Sequence, residues 1–308
     1  MKHLFIVNPA SGHGSASEAV YGSLSSLPSD IDSEIYITKG KGDGERYIKK
    51  TLSSSGEPVR CYACGGDGTV SEVVNGIAMF PHASFTVFPC GSGNDFVKSV
   101  GGEEIYKSLP ALTAAVEMPI DFMRVNDRYC VNVCHFGFDS YVAAKMNEVR
   151  SRPVIGGGNA YTTGVALGLL HAMKSCAVIT ADGDTMCSGD FLLCTVANGQ
   201  YVGGKYRCAP QSSVTDGLLD ICVASPVSRL TFIRLVKYYA DGSHLTDPRF
   251  RDFLHYRRCA RVTIDAEDGF CISLDGEVVP MSHAVIDILP KGIKLAVPRG
   301  AKDRKSVV

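Results

Sequence analysis

Three short segments combine glycine with hydroxyl, amide and carboxylate side chains: Asn8-Pro9-Ala10-Ser11-Gly12, Gly65-Gly66-Asp67-Gly68-Thr69 and Pro89-Cys90-Gly91-Ser92-Gly93-Asn94-Asp95. Glycine lets backbone N–H groups come close to a ligand, and several such groups in one turn make a concavity suited to an anion. A polyphosphate is the natural guest. A single turn of this kind would read as an ordinary connection between a strand and a helix. Three of them, each also carrying Ser, Thr, Asn or Asp, point to a nucleotide site. The dinucleotide fingerprint GxGxxG does not follow the first apolar run, so the pattern is not that of an NAD-binding fold. Gly199 to Lys205 spells GxxxxGK, but Tyr206 stands where Ser or Thr is required and Cys208-Ala209-Pro210 cannot open a helix at once. A Walker A loop is therefore rejected.

Other chemistry-bearing residues read more plainly. Cys61 and Cys64 form a CxxC inside the run Val59 to Cys64, where positions three apart point to opposite faces of a strand, so neither zinc nor redox chemistry is expected. Asp275 and Glu277 flank Gly276, and on residue type alone they read as a solvated hairpin. Asp216 precedes Gly217 and reads as a turn residue capping its own backbone.

The elements that position these residues follow from hydrophobic period. His3 to Val7, Ser33 to Thr38, Val59 to Cys64 and Ser84 to Phe88 are short β-branched runs, alternating with helical patterns over Ala16 to Leu27, Glu45 to Ser54 and Thr69 to Met79. That alternation predicts βαβ units and a doubly wound parallel sheet, with all three glycine turns at strand C-termini, which border the ligand crevice of an open sheet. Near Met118 the texture changes. Pro119 to Val125 and Tyr129 to Phe136 flank the turn Asn126-Asp127-Arg128, and the strand-like runs 176–181, 191–198, 218–224, 260–266 and 270–274 follow, with turns at Asp182-Gly183 and Asp268-Gly269. The second half is predicted to be antiparallel and β-rich, with helices over Ala160 to Lys174 and Val227 to Ala240.

Length and composition agree with two folded domains: 308 residues against roughly 150 per domain. Lys plus Arg is 31 and Asp plus Glu is 32, giving a net charge of −1 and no basic excess to draw in nucleic acid. No apolar window reaches the roughly 18 residues of a membrane span, and the N-terminal run is too short for a signal peptide. Twelve Cys in 308 residues, most of them among apolar neighbours, fit a reducing compartment, so a cytoplasmic protein is expected.

The ordered set of motifs resembles the diacylglycerol kinase catalytic-domain family, which includes soluble bacterial lipid kinases and the sphingosine and ceramide kinases. The resemblance rests on the three turns, with Phe96 after the third, and on Ala209-Pro210, Asp216-Gly217-Leu218-Leu219-Asp220 and Leu274-Asp275-Gly276-Glu277. It implies an α/β ATP-binding domain over 1–120, with 291–308 packing back on it, and a β-sandwich lipid domain over 121–290. It also implies an ATP- and Mg2+-dependent transfer of phosphate to a hydroxyl of diacylglycerol or a related lipid. On that resemblance Asn8, Pro9, Ser11, Gly12, Thr38, Gly65, Gly66, Asp67, Gly68, Thr69, Ser92, Asn94 and Asp95 would line the nucleotide, with Asp67 organising phosphate and magnesium. Glu277 would be the base that takes the acceptor's proton, and Asp216, Ser213 and the Leu218 carbonyl would hold a structural magnesium. An NAD kinase shares the Gly-Gly-Asp-Gly turn and is the alternative enzyme; a catalytically silent lipid- or nucleotide-binding regulator is the other. The lipid would be met by peripheral association with a membrane. The first loop, followed by His13-Gly14-Ser15, lacks the permanent charge of many bacterial relatives; Lys39 and Lys41 read either as a solvated loop or as substitutes for docking. A homodimer is compatible with the sequence.

Overall fold

The computed structural model describes residues 1–14, 16–24, 27, 31–150, 167–169, 173–267 and 269–299. β1 (Lys2–Val7), β2 (Ser33–Ile37), β3 (Val59–Gly65) and β4 (Ala83–Pro89) alternate with α1 (Ala16–Leu24), α2 (Asp43–Ser53) and α3 (Asp67–Ile77). The strands pair in parallel in the order β2-β1-β3-β4. Every residue of β3 and β4 is buried, as befits parallel strands covered on both faces. The order reverses beside β1, which opens the crevice outside the strand C-termini where a doubly wound sheet binds ligands.

After α4 (Asp95–Ser99) and α5 (Leu109–Thr113) the chain becomes antiparallel. β5 (Val116–Val125), β6 (Arg128–Cys130), β7 (Val133–Gly137) and α6 (Phe138–Arg150) precede β8 (Ser175–Ala181), β9 (Asp184–Phe191), β10 (Leu193–Ala197) and β11 (Leu219–Ala224). Then come α7 (Arg229–Asp241), β12 (Leu254–Cys259), β13 (Arg261–Ala266), β14 (Cys271–Leu274), β15 (Glu277–Pro280) and β16 (His283–Val297). One layer is the six-stranded sheet β12-β11-β10-β7-β14-β15; the other contains β5, β6, β8, β9, β13 and β16. Met123, Val125, Phe136, Val196, Ile221, Ile264 and Ile286 fill the space between them. This is the expected sandwich.

β16 joins the two halves. Its first part pairs antiparallel with β5 and β13; a register shift falls between Leu289 and Ile293, and Leu295 then lies parallel to Phe85 of β4. The fully buried Asp121 fixes that shift by accepting the Lys291 N–H at 2.7 Å and the Gly217 N–H at 2.6 Å. The C-terminal strand thus returns to the first sheet, as the family resemblance implies.

Three local readings change. The run Tyr129 to Phe136 is not one strand: β6 stays with β5 and β7 crosses to the other layer, because the backbone turns around a carboxylate described below. α3 begins at Asp67, two residues before the expected start, since the extended Gly66 already serves as its cap. α6 and most of β16 have no counterpart in the sequence reading. The expected helix over 160–174 lies outside the described residues except for 167–169 and 173–174, as do Gly156 to Gly158, Tyr161 and Asp268. Cys61 and Cys64 are free and buried in β3, and burial pushes the Cys61 thiol up to about 12, which suits core packing and not reactivity.

Candidate active site

β1, β3 and β4 deliver the three glycine turns to one edge of the sheet, and their backbones touch there. A methyl group on Gly65 would lie 2.1 Å from Thr69 Oγ1 and 3.1 Å from Ser11 Oγ, so the first and second turns meet over that glycine. A methyl on Gly91 would lie 2.4 Å from Gly66 Cα, closer than any side chain tolerates, so the second and third turns meet backbone to backbone. Asn8 holds the first turn by accepting the Ala10 N–H on its side chain at 3.0 Å. Thr38 is anchored beside it through its N–H to the Val7 carbonyl at 2.9 Å. Thr69 Oγ1 is buried at this junction and has no hydrogen-bond partner among the described residues. A buried hydroxyl left unsatisfied costs free energy that an incoming acceptor would recover.

The third turn is built around charge. Asn94 sits in the left-handed region at φ 49° and closes the turn, accepting the Gly91 N–H at 3.0 Å and donating to the Gly91 carbonyl at 2.8 Å. Asp67 Oδ1 accepts the Asp95 N–H at 2.7 Å, so the head of α3 caps the head of α4. Asp67 Oδ2 and Asp95 Oδ2 both flank Gly93, at 2.8 and 3.4 Å from where its Cβ would be. Burial, the neighbouring Asp95 and the more distant Asp275 together hold the Asp67 carboxyl well above the usual carboxylate range. Lys98 offsets part of this charge, donating to Asp95 at 3.2 Å and to the carbonyls of Gly93 and Gly204. Gly204 in turn gives its N–H to Asp95 at 2.9 Å, bringing the second half of the chain against the third turn. A recess of about 410 Å³ opens alongside, lined by Lys98, Gly102, Glu103, Glu104 and Tyr201.

The other half of the molecule contributes the β14–β15 hairpin. Glu277 is half-buried, and its two oxygens meet Lys41 Nζ at 2.8 Å and Arg128 Nη2 at 3.3 Å. Lys41 comes from the β2–α2 loop, three residues after Thr38, so this ion pair spans the two halves of the molecule. Asp275 is not the solvated turn residue that its type suggests. It is buried and accepts the N–H groups of Val131, Asn132 and Val133 at 2.9 to 3.0 Å, with the Cys130 thiol at 2.9 Å. This is the carboxylate around which β6 breaks from β7.

The structure thus brings Asn8 to Gly12, Thr38, Gly65 to Thr69 and Ser92 to Asp95 to one edge of the sheet, and Glu277 of the other half is tied to Lys41 of the adjoining β2–α2 loop. Asp216, Ser213 and Leu218 share one turn elsewhere. There Asp216 is ion-paired with Arg258, and the Ser213 hydroxyl bonds the Thr215 hydroxyl at 3.2 Å. Among the described residues no three His, Cys, Asp or Glu side chains gather as a metal cluster. Lys98, Gly204 and Glu72 are site-building residues that local pattern does not reveal. Glu72 of α3 accepts the N–H groups of Gly42 and Gly44 at 2.8 and 2.9 Å, fixing the β2–α2 loop that carries Lys41.

Comparison with known proteins matches two successive stretches of the chain. Residues 2–125 match the family model of the diacylglycerol kinase catalytic domain, and residues 132–297 match that of the YegS C-terminal NAD kinase beta sandwich-like domain. The chain is 28% identical over 240 residues to a diacylglycerol kinase of Bacillus subtilis, covering 77% of each. It is 25% identical over 268 residues to a probable lipid kinase YegS-like of Alcanivorax borkumensis, covering 86% of this chain and 87% of the relative. In fold it is similar to the crystal structure of a putative diacylglycerol kinase from Bacillus anthracis, with a TM-score of 0.73, 23% identity, and 97% and 98% of the two chains covered.

Proposed function

We propose, proceeding from the fact that this chain belongs to the diacylglycerol kinase catalytic-domain family and is a lipid kinase, that it moves the γ-phosphate of ATP to a hydroxyl of diacylglycerol or a related lipid. The observation that carries this reading is the convergence of three glycine turns on one point, with a carboxylate from the other half of the molecule tied to the adjoining β2–α2 loop. Phosphoryl transfer asks little covalent chemistry of a protein and much positioning, which a cradle of backbone N–H groups supplies. In this reading the N–H groups of the three turns and the Thr69 hydroxyl take the phosphate oxygens. Lys98 pins Gly93 against Gly204 and so holds the third turn in shape.

Asp67 and Asp95 suit a magnesium ion: two carboxylates bracket Gly93, and burial together with the neighbouring Asp95 disfavours the charged form of Asp67, a penalty that a bound cation would relieve. When bound, magnesium would neutralise charge on the transferring phosphate. In this reading Glu277 would accept the acceptor's proton, and its ion pairs with Lys41 and Arg128, which hold its carboxylate, support that role. The acceptor hydroxyl would compete with Lys41 for one carboxylate oxygen. No helix among the described residues is long and apolar enough to cross a membrane, so the lipid would be reached by association with a bilayer surface.

The test is phosphate transfer from γ-labelled ATP, with magnesium or with chelator, to diacylglycerol, sphingosine, ceramide, monoacylglycerol and phosphatidylglycerol in mixed micelles, and to NAD without lipid. The expected result is magnesium-dependent labelling of one lipid class and none of NAD. Labelling of NAD alone, or of nothing while ATP binds, would overturn the proposal.

A further inference from the structure

α7 presents two unlike faces. Inward, the Phe232 ring packs on Phe138 with centroids 4.7 Å apart, and the Tyr239 hydroxyl donates to Asp139 at 3.1 Å. Outward, Leu230 is 67% and Ile233 56% exposed. Arg234 and Lys237 continue that same face at helical spacing, and Arg229 stands at its start. No acidic residue occurs in the helix before its last position, Asp241, whose carboxylate is engaged by the Ser243 N–H and hydroxyl. Thirteen residues in this pattern make a cationic helix roughly 20 Å long with large aliphatic side chains facing out. The other exposed large apolar residues among those described, Met1, Tyr21, Ile37, Met79, Val116 and Val178, are spread along the chain and share no helix or strand with one another.

We propose that the outward face of α7 is the surface by which this protein settles on an anionic lipid bilayer. Leu230 and Ile233 enter the boundary between headgroups and acyl chains, and Arg234 and Lys237 meet lipid phosphates at the same depth, the arrangement of an amphipathic helix lying in the interface. Charge complementarity selects the partner, because the outward side chains Arg234 and Lys237 are both cationic while the helix's one carboxylate, Asp241, stands at its far end, and this balance favours anionic over zwitterionic headgroups. The proposal takes its motive from the lipid-kinase reading, but its geometry stands without it.

The experiment is co-sedimentation of the full chain, without nucleotide, with phosphatidylcholine vesicles that contain or lack phosphatidylglycerol. The wild type is expected to partition onto the anionic vesicles only. Leu230→Glu/Ile233→Glu is expected to lower that partition about tenfold or more. Arg234→Gln/Lys237→Gln, which removes both charges and with them the contact of Lys237 Nζ with the Tyr238 ring, is expected to lower it about thirtyfold. Met79→Glu, at an equally exposed site on the other half of the molecule, is expected to change nothing. Unaltered binding by both α7 variants, equal binding of the wild type to both vesicle types, or loss of binding in Met79→Glu alone would each overturn the proposal. Vesicle binding by a protein that labels no lipid would sink the kinase reading and leave the docking surface standing. Lipid labelling in micelles by a protein that never binds vesicles would do the reverse.

Discussion

Glu277→Ala lowers phosphate transfer by about 10²- to 10⁴-fold while fold and nucleotide binding persist, which is the range a positioned general base contributes. The competing explanation is that Glu277 merely bridges the two halves of the molecule, through Lys41 on one side and Arg128 on the other. Lys41 separates the two. Its side chain is 74% exposed, so the ion pair itself is screened and adds little to stability. Lys41→Met breaks the bridge but leaves the carboxylate, and activity is expected to stay within about tenfold of wild type, well short of the loss of a base. If Lys41→Met costs as much as Glu277→Ala, the carboxylate serves as a strut and the assignment of the base is wrong.

The second large effect is on stability. Asp275→Ala removes the acceptor for three buried backbone N–H groups and a thiol at the place where the chain crosses between sheets. Each donor left unsatisfied in the interior costs about 1–3 kcal/mol, so a loss of about 3–6 kcal/mol is expected, a large share of the stability of an ordinary domain. Denaturant unfolding measures it, and a loss below about 1 kcal/mol would show that water or a shifted backbone satisfies these groups instead. Asp275→Asn keeps one acceptor oxygen and loses less. The two proteins also diverge with pH. Burial raises the Asp275 pKa, outweighing the donors that lower it, so its contribution is full below the unfolded-state value of about 4 and declines as pH rises toward the folded value. The advantage of wild type over Asp275→Asn therefore shrinks as pH increases through that window.

What could be read from the sequence was what local pattern encodes. The glycine turns, the alternation of β3 and β4 with helices, and the Asn126 hairpin are written within a few neighbouring residues, and they stand where the pattern puts them. Asp275 could not be read this way. Its type and its Gly276 neighbour are those of a surface turn, and only the pairing of β14 with β7 buries it against residues more than 140 positions away. Gly204 and Lys98 are hidden for the same reason, since the Gly199 to Lys205 segment has no phosphate-loop geometry of its own and acquires a role only by meeting Asp95. α6 escaped because its apolar period is weak: among its described side chains the buried apolar ones are Phe138 and Val142. Asp216 shows both sides: its carboxylate accepts the Leu218 N–H at 3.3 Å, the local cap its type suggests, and it also pairs with Arg258, which no local pattern announces.

That the three turns act as one phosphate cradle is tested most directly by amide hydrogen exchange on the full chain, with and without ATP and magnesium. Slowed exchange is expected together in segments 8–12, 65–69 and 91–95, because one nucleotide spans backbones that already touch at Gly65, Gly66 and Gly91. Protection confined to the recess around Lys98, Glu103 and Tyr201, with the three turns unchanged, would contradict it.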